Sequence, residues 1–155
     1  IVLERGCNVQ EGCVIHMFPG ETVLLEEGAH VGHGAMIHGA TLERNCMIGM
    51  NAVVLDGAVI GSESIVGALA LVKSKAQFER RSLVLGNPAV RKGEVSEDMI
   101  AHKTEGTALY QALPKECQTE LVLTEPLSKI PEQRPEAFPT FETWQSRKAK
   151  DDTTS

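Results

Sequence analysis

The sequence predicts an all-β solenoid, a left-handed parallel β-helix, followed by a C-terminal α-helix. Three observations carry this prediction: branched aliphatic residues recur every six positions in the first half of the chain, a small residue precedes most of them by two positions, and a glycine often follows. A six-residue period fits neither an α-helix nor a flat strand. It fits a coil of three short strands, about 18 residues long, in which each side points one aliphatic side chain inward.

The inward-pointing aliphatic positions fall into four groups of three. They are Leu3, Val9 and Ile15; Leu25, Val31 and Ile37; Leu42, Ile48 and Val54; and Ile60, Val66 and Val72. Aromatic residues make up only 4% of the chain, which suits a core too narrow for rings. A sandwich of short strands would instead alternate strictly, with turns roughly every 8 to 12 residues, and this stretch does not.

The six-residue register is interrupted twice, each time beside a histidine. Four additional residues between Ile15 and Leu25 predict a small loop around residues 18–21, and one residue is missing between Ile37 and Leu42. After each interruption the six-residue step resumes, so we expect the coils on either side of it to stack with their inward residues aligned.

The repeat ends after Val72, and the rest of the chain has a different character. Ser96 predicts a helix N-cap with acidic residues in the first turn, and Pro114 predicts a break in that helix. We divide the chain into a β-helix over 1–72 that further N-terminal coils are expected to precede, a connector over 73–95, a helical segment over 96–123, and an extended, partly disordered tail over 124–155.

Composition excludes several classes of function. The net charge is −6, and the few basic clusters are short and lack interleaved aromatic residues, so we expect no nucleic-acid partner. No apolar run approaches the ~20 residues of a membrane-spanning helix, so we expect no membrane partner, and no secretory leader is visible. We therefore expect a cytoplasmic protein. The four cysteines show no C-x-x-C spacing and predict neither a zinc ribbon nor a disulfide framework.

Two of the histidines share a column of the predicted β-helix. His16 follows the inward Ile15, and His38 follows the inward Ile37 one coil later. Adjacent strands lie about 4.8 Å apart, and two nitrogens on one zinc ion lie about 3.3 Å apart, so a small tilt of both rings would let them share a metal. One column therefore supplies two candidate metal ligands.

His33 lies on a different side of the triangle and should not reach a metal held by His16 and His38 of the same chain. A copy related by threefold rotation could present it, because such an interface sets one side of the prism against a different side of its neighbour. Three histidines with one open position suit a catalytic zinc, and also iron or cobalt. We interpret His30 as a surface residue or one that supports the site.

Three motifs carry a family resemblance. The segments Asn8-Val9-Gln10-Glu11-Gly12-Cys13-Val14-Ile15-His16, Val31-Gly32-His33-Gly34-Ala35-Met36-Ile37-His38-Gly39 and Ile48-Gly49-Met50-Asn51-Ala52-Val53 resemble the γ-class carbonic anhydrase family of hexapeptide proteins. Residues 50–61 and 106–111 are most similar to its branch found in phenylacetic-acid-degradation and carnitine operons. The resemblance extends over roughly residues 1–113, and we expect the family's Arg-Gly-Asp stretch to lie on coils before Ile1.

The resemblance implies a homotrimer with a metal at each subunit interface. It places His16 and His38 on one subunit and His33 on its neighbour. It also implies that Asn8 and Gln10 line the site, with Gln10 hydrogen-bonding the metal-bound water or the substrate. Glu21, in the loop after His16, is a candidate proton shuttle by position alone.

Four functions remain open on the sequence. The first is hydration of CO₂ to bicarbonate by zinc-activated water, and the second, implied by the phenylacetate branch, is hydrolysis of a CoA thioester by the same water. The third is acyl transfer from acyl-CoA with one histidine as general base and no metal. The fourth is a non-catalytic trimeric scaffold. The β-helix alone does not distinguish them, because this fold hosts unrelated chemistries.

Overall fold

The computed structural model describes residues 1–130, 132–133 and 142–152. They belong to two compact units, Ile1–Pro114 and Lys115–Ser155. The first unit is a parallel β-solenoid of about five turns that continues into a helix, which confirms the left-handed β-helix predicted from the hexads.

Three sheets form the sides of the prism, and from β1 to β14 each strand pairs with the strand three places along the chain. The first sheet contains β1 (Val2–Leu3), β4 (Leu24–Leu25), β7 (Thr41–Leu42), β10 (Val59–Ile60) and β13 (Gln77–Phe78). The second contains β2 (Asn8–Val9), β5 (His30–Val31), β8 (Met47–Ile48), β11 (Ile65–Val66), β14 (Ser82–Leu85) and β15 (Val90–Glu94). The third contains β3 (Val14–His16), β6 (Met36–His38), β9 (Val53–Val54) and β12 (Leu71–Val72).

The core is a single column of side chains inside the prism. The inward aliphatics from Leu25 to Val72 are fully buried, and the small residues before them fill the corners. Leu3 and Val9 are 51% and 37% exposed, because β1 and β2 form the edges of their sheets in the described part of the chain. The hexads therefore point inward as the sequence predicts.

The structure corrects the connector predicted over residues 73–95. β13 and β14 pair in parallel with β10 and β11, so the β-helix continues beyond Val72. The six-residue step also continues, through Phe78 and Val84. A search for branched aliphatic residues misses this continuation because Phe78 is aromatic. The solenoid ends where β15 turns back antiparallel to β14.

The C-terminal helix of the first unit, α1 (Glu97–Glu120), begins as predicted. The backbone N–H of Met99 donates to Ser96 Oγ at 3.3 Å, and Glu97 in the first turn forms an ion pair with Arg81 at 2.5 Å. The helix is continuous through Pro114, where the sequence predicts a break. Lys103 is buried, and its Nζ donates to the Gly28 carbonyl at 3.1 Å and to Asn45 Oδ1 at 2.6 Å.

The second unit contains the end of α1 and a second helix, α2 (Trp144–Asp152). Thr143 precedes α2, and its Oγ1 accepts the backbone N–H of Ser146 at 3.2 Å. The tail predicted to be extended therefore includes a capped helix, and the parts of it at 131, 134–141 and 153–155 lie outside the described residues. Among the described helices, none has the length and apolar character needed to cross a membrane.

Candidate functional site

His16 and His38 lie opposite each other on the third sheet. They end β3 and β6 in register, their ring centroids are 5.1 Å apart, and His16 Nδ1 lies 3.0 Å from His38 Nε2. The two rings thus tilt toward each other until their nitrogens are closer than the spacing of the strands that carry them. This is the column arrangement that the hexad register predicts.

Asp56 is a candidate site residue that the sequence reasoning missed. Its Oδ1 lies 2.6 Å from His38 Nδ1, and both side chains are largely shielded from solvent, at 19% exposure for His38 and 33% for Asp56. A carboxylate at Nδ1 holds the ring proton there and leaves the Nε2 lone pair directed at His16. The six-residue register does not point to it, because Ile37 pairs with Val54 and Asp56 therefore lies one residue beyond the position level with His38.

Gly39 makes room for the Asp56 carboxylate. Its φ is +58°, and a Cβ built there would lie 2.6 Å from Asp56 Oδ1. A side chain at this position would collide with the oxygen that holds His38. The glycine at position 39 is thus part of how the contact between Asp56 and His38 is built.

The loop between β3 and β4 brings an aromatic ring to the site. Phe18 is 61% exposed, and its ring packs edge-on against His38 with the centroids 4.9 Å apart. Glu21 lies in the same loop, where its backbone N–H donates to the Phe18 carbonyl at 3.1 Å. Glu21 is exposed, and in the parts of the chain that the structure describes its carboxylate makes no hydrogen bond or ion pair.

His33 is separate from the histidine pair. It lies in the turn between β5 and β6, and its Nδ1 is 2.9 Å from Glu11 Oε2, on the coil before. Glu11 was also missed by the sequence reasoning, and it does for His33 what Asp56 does for His38, because it leaves Nε2 available. Within one chain, the described residues contain no group of three His, Cys, Asp or Glu side chains able to hold a metal ion.

Gln10 and Asn8 lie together beneath this turn. Gln10 is buried, and its Oε1 accepts the backbone N–H of His33 at 3.1 Å. Its Nε2 is 3.2 Å from Asn8 Oδ1 and 2.8 Å from His30 Nε2. Both amide hydrogens of Gln10 are therefore engaged inside the chain, which leaves an oxygen lone pair as its remaining capacity to bind water or substrate.

His30 is buried, so it is not the surface residue that was one of the two expectations for it. The other expectation, that it supports the site, is compatible with its position. It begins β5, is 6% exposed and packs against α1. Burial, reinforced by the nearby charges of Lys103 and His33, lowers the pKa of His30 to about 4. The imidazole is consequently neutral at physiological pH.

The donor set fits a metal ion in part. His16 and His38 present two nitrogens 3.0 Å apart, close to the ~3.3 Å expected for two ligands of one zinc, and carboxylates orient His38 and His33 as they commonly orient metal-binding imidazoles. A third histidine ligand, His33, would have to come from a second copy. The same His38–Asp56 pair is also a reasonable general base without metal.

A prism built from six-residue repeats, with an α-helix packed on its side, defines the hexapeptide-repeat class of proteins. A family model described as bacterial transferase hexapeptide (six repeats) matches residues 39–74. The chain is 41% identical to the carnitine operon protein CaiE of Salmonella agona (strain SL483) over 135 residues, which are 87% of this chain and 68% of CaiE. It is 37% identical to CaiE of Proteus sp. (strain LE138) over 142 residues, 92% of this chain and 72% of that protein. The chain belongs to this family of hexapeptide-repeat proteins, with CaiE among its relatives.

Solved structures agree with this assignment. A hexapeptide transferase family protein from Anaplasma phagocytophilum matches with a TM-score of 0.68 and 26% identity, over 73% of this chain and 66% of the other. The product of the BC4754 gene of Bacillus cereus, for which an acetyltransferase activity is suggested, matches with a TM-score of 0.72 and 27% identity, over 74% of this chain and 66% of the other. The chain thus spans about two thirds of the length of both.

Proposed function

We propose that this protein is a γ-carbonic anhydrase-like metalloenzyme that acts as a homotrimer. His16 and His38 of one subunit and the His33 of its neighbour hold a transition metal, zinc in the first instance. A zinc ion so bound supplies a water molecule of lowered pKa for CO₂ hydration or a related hydrolysis. The observation that carries the proposal is His38, which lies between His16 at 3.0 Å and the carboxylate of Asp56 at 2.6 Å.

The surface around the histidines supports a shared site. Met36, on the same strand as His38, is 40% exposed, and Met50 and Leu69, at the corner that carries His33, are 53% and 72% exposed. An exposed apolar stripe next to an incomplete ligand set fits an interface that closes by threefold rotation. The corner bearing His33 would then pack on the sheet bearing His16 and His38 of the next copy.

The residues of this chain have separate tasks in the proposed site. Asp56 and Glu11 hold the Nδ1 protons of His38 and His33, so each ring keeps one tautomer. Phe18 covers one edge of His38 and excludes water from that side. Glu21, exposed in the adjacent loop, is the group through which a proton would leave for solvent.

The reacting atom is a carbon doubly bonded to oxygen in either version of the proposal. CO₂ needs only the space beside His38 and Phe18. A CoA thioester would need in addition a groove for its pantetheine arm along the trimer surface, and hydrolysis of such a thioester is the alternative that the phenylacetate-type resemblance supports. Assays of both reactions on the same preparation decide between them.

Acyl transfer without metal is the second candidate function, and one observation favours it. His38 and Asp56 form a hydrogen-bonded histidine–carboxylate pair whose side chains are partly exposed, at 19% and 33%, and such a pair is how a general base is oriented to deprotonate an acceptor amine or hydroxyl. This reading gives His16 no task of its own. It predicts transfer from acyl-CoA that persists in the presence of a chelator.

The test begins with metal content per chain and mass by light scattering on protein purified without a histidine tag. About one transition metal per chain in a trimer is expected, and His38→Ala should lose metal and activity together while the control His102→Ala keeps both. Full metal content in His38→Ala would refute the proposed site, and a metal-free trimer active in acyl transfer would establish the second candidate.

Mixed trimers test whether the site is shared. His16→Ala and His33→Ala trimers should each be inactive, because every interface lacks one ligand. After unfolding and refolding of an equal mixture, random assembly makes about one quarter of the interfaces complete, and activity should return to about that fraction. No recovery would show that the three histidines do not meet across an interface.

A further inference from the structure

His30 connects α1 to the residues beneath the His33 turn. Its Nε2 lies 2.8 Å from Gln10 Nε2, and its Nδ1 lies 3.3 Å from Thr107 Oγ1 on α1. Tyr110, one turn further along the helix, packs edge-on against the imidazole with ring centroids 5.2 Å apart. His30 is thus held by the helix on one side and contacts Gln10 on the other.

The hydrogen bonds of this group have one consistent direction. Gln10 Nε2 is a donor only, so His30 Nε2 must accept and carries no proton. The single ring proton lies on Nδ1 and is donated to Thr107 Oγ1, whose own hydroxyl donates to the Lys103 carbonyl at 3.1 Å. Gln10 Oε1 is left to accept the backbone N–H of His33 at 3.1 Å. If the ring proton of His30 were on Nε2 instead, two N–H donors, Gln10 Nε2 and His30 Nε2, would face each other.

We propose that His30 is a positioning residue: it fixes the Gln10 side chain in the orientation that holds the backbone of His33, and it does so under the control of α1. The purpose of this positioning depends on the proposed function, in which His33 is the ligand offered to the neighbouring subunit. The positioning itself depends only on the hydrogen bonds described above. His30 itself touches neither substrate nor metal.

The rest of the environment favours this task over a structural one. Gln10 could satisfy its amide by turning to solvent, but His30 and Asn8 accept both of its hydrogens and leave one rotamer. The groups that face His30 are Lys103 and Tyr110 from α1 and His33 from the adjacent turn, and Lys103 has its own partners in Gly28 and Asn45. No carboxylate pairs with His30 within the described residues, so nothing draws a second proton to the ring.

The experiment compares two variants that differ in which ring nitrogen they replace. In His30→Gln the terminal amide reaches the place of Nε2 and can accept from Gln10, whereas in His30→Asn the shorter amide reaches only the place of Nδ1. The readout is hydrogen exchange of the His33 backbone amide in the full-length protein. The Gly49 amide, bonded to the Val66 carbonyl at 2.8 Å, serves as the internal reference for global stability.

We expect exchange at His33, relative to Gly49, to be about tenfold faster in His30→Asn, as for loss of one hydrogen bond of ordinary strength, and within about threefold of wild type in His30→Gln. Equal ratios in the two variants, or an unchanged ratio in both, would overturn the proposal. Because the readout needs no metal and no turnover, it is independent of the proposed function: an absent metal would refute that function and leave the exchange result standing.

Discussion

The Asp56 carboxylate lies 2.6 Å from His38 Nδ1 and meets it from the next coil of the β-helix. A pairing across coils differs from one within a loop, because the sheet hydrogen bonds that join the coils also set the distance between the two side chains. The orientation of His38 therefore depends on the stacking of two neighbouring coils.

Removal of the Asp56 charge should weaken metal binding without unfolding the protein. Asp56→Asn keeps the volume but no longer holds the Nδ1 proton as a carboxylate does, and loss of such a partner typically reduces metal affinity about 10- to 100-fold. Zinc affinity measured by competition with a chelator checks this. Asp98→Asn, an exposed carboxylate in the first turn of α1, is the control, and equal affinities in the two variants would remove Asp56 from the site.

A methyl group at Gly39 should displace Asp56. Gly39→Ala places a Cβ 2.6 Å from Asp56 Oδ1, whereas Gly20→Ala imposes the same kind of positive-φ strain, at +89°, with no atom within 4 Å. Each variant should lose about 1–2 kcal/mol of stability from the backbone, but Gly39→Ala alone should also lose metal affinity. Thermal unfolding and zinc titration of both variants separate strain from displacement.

The stability of the protein should fall in mild acid because of His30. Its pKa is lowered from 6.5 to about 4 in the folded state, so between these pH values the unfolded chain binds more protons, and stability is lost as pH falls from 6.5 toward 4. The loss from this group is about 3 kcal/mol at most. Denaturant unfolding of wild type and His30→Gln at fixed protein concentration should show a smaller acid loss in the variant, and parallel pH curves would contradict this.

A charge on the apolar stripe should dissociate the trimer. Met36→Arg puts a guanidinium on the strand of His38, at a position that is 40% exposed in one chain and buried in the proposed assembly. Leu109→Arg, at 47% exposure on α1, is the matched control. Light scattering should show monomers with little bound metal for Met36→Arg and trimers for Leu109→Arg, and trimers in both cases would exclude this face as the interface.

The sequence predicts the solenoid well because its core is one side chain wide. Each inward position faces only its own coil and the coils above and below, so a six-residue period is enough to place it. The predicted solenoid ends too early because Phe78 occupies an inward position that the aliphatic pattern does not admit. The predicted helix break is wrong for a separate reason, since Pro114 is tolerated inside α1.

The candidate site is only partly predictable from the sequence. Register alone puts His16 and His38 in one column. It does not reveal Asp56 and Glu11, because a carboxylate on a neighbouring coil has the same spacing whether it faces a histidine or solvent. The burial of His30 follows from the position of α1, which no hexad specifies.

The stacking of His16 on His38 has a consequence for how such proteins diversify. The two imidazoles lie on adjacent strands, so whole coils can be gained or lost beyond them without changing their spacing. Because each coil contacts only its neighbours, the length of the solenoid and the side chains of the site can change independently.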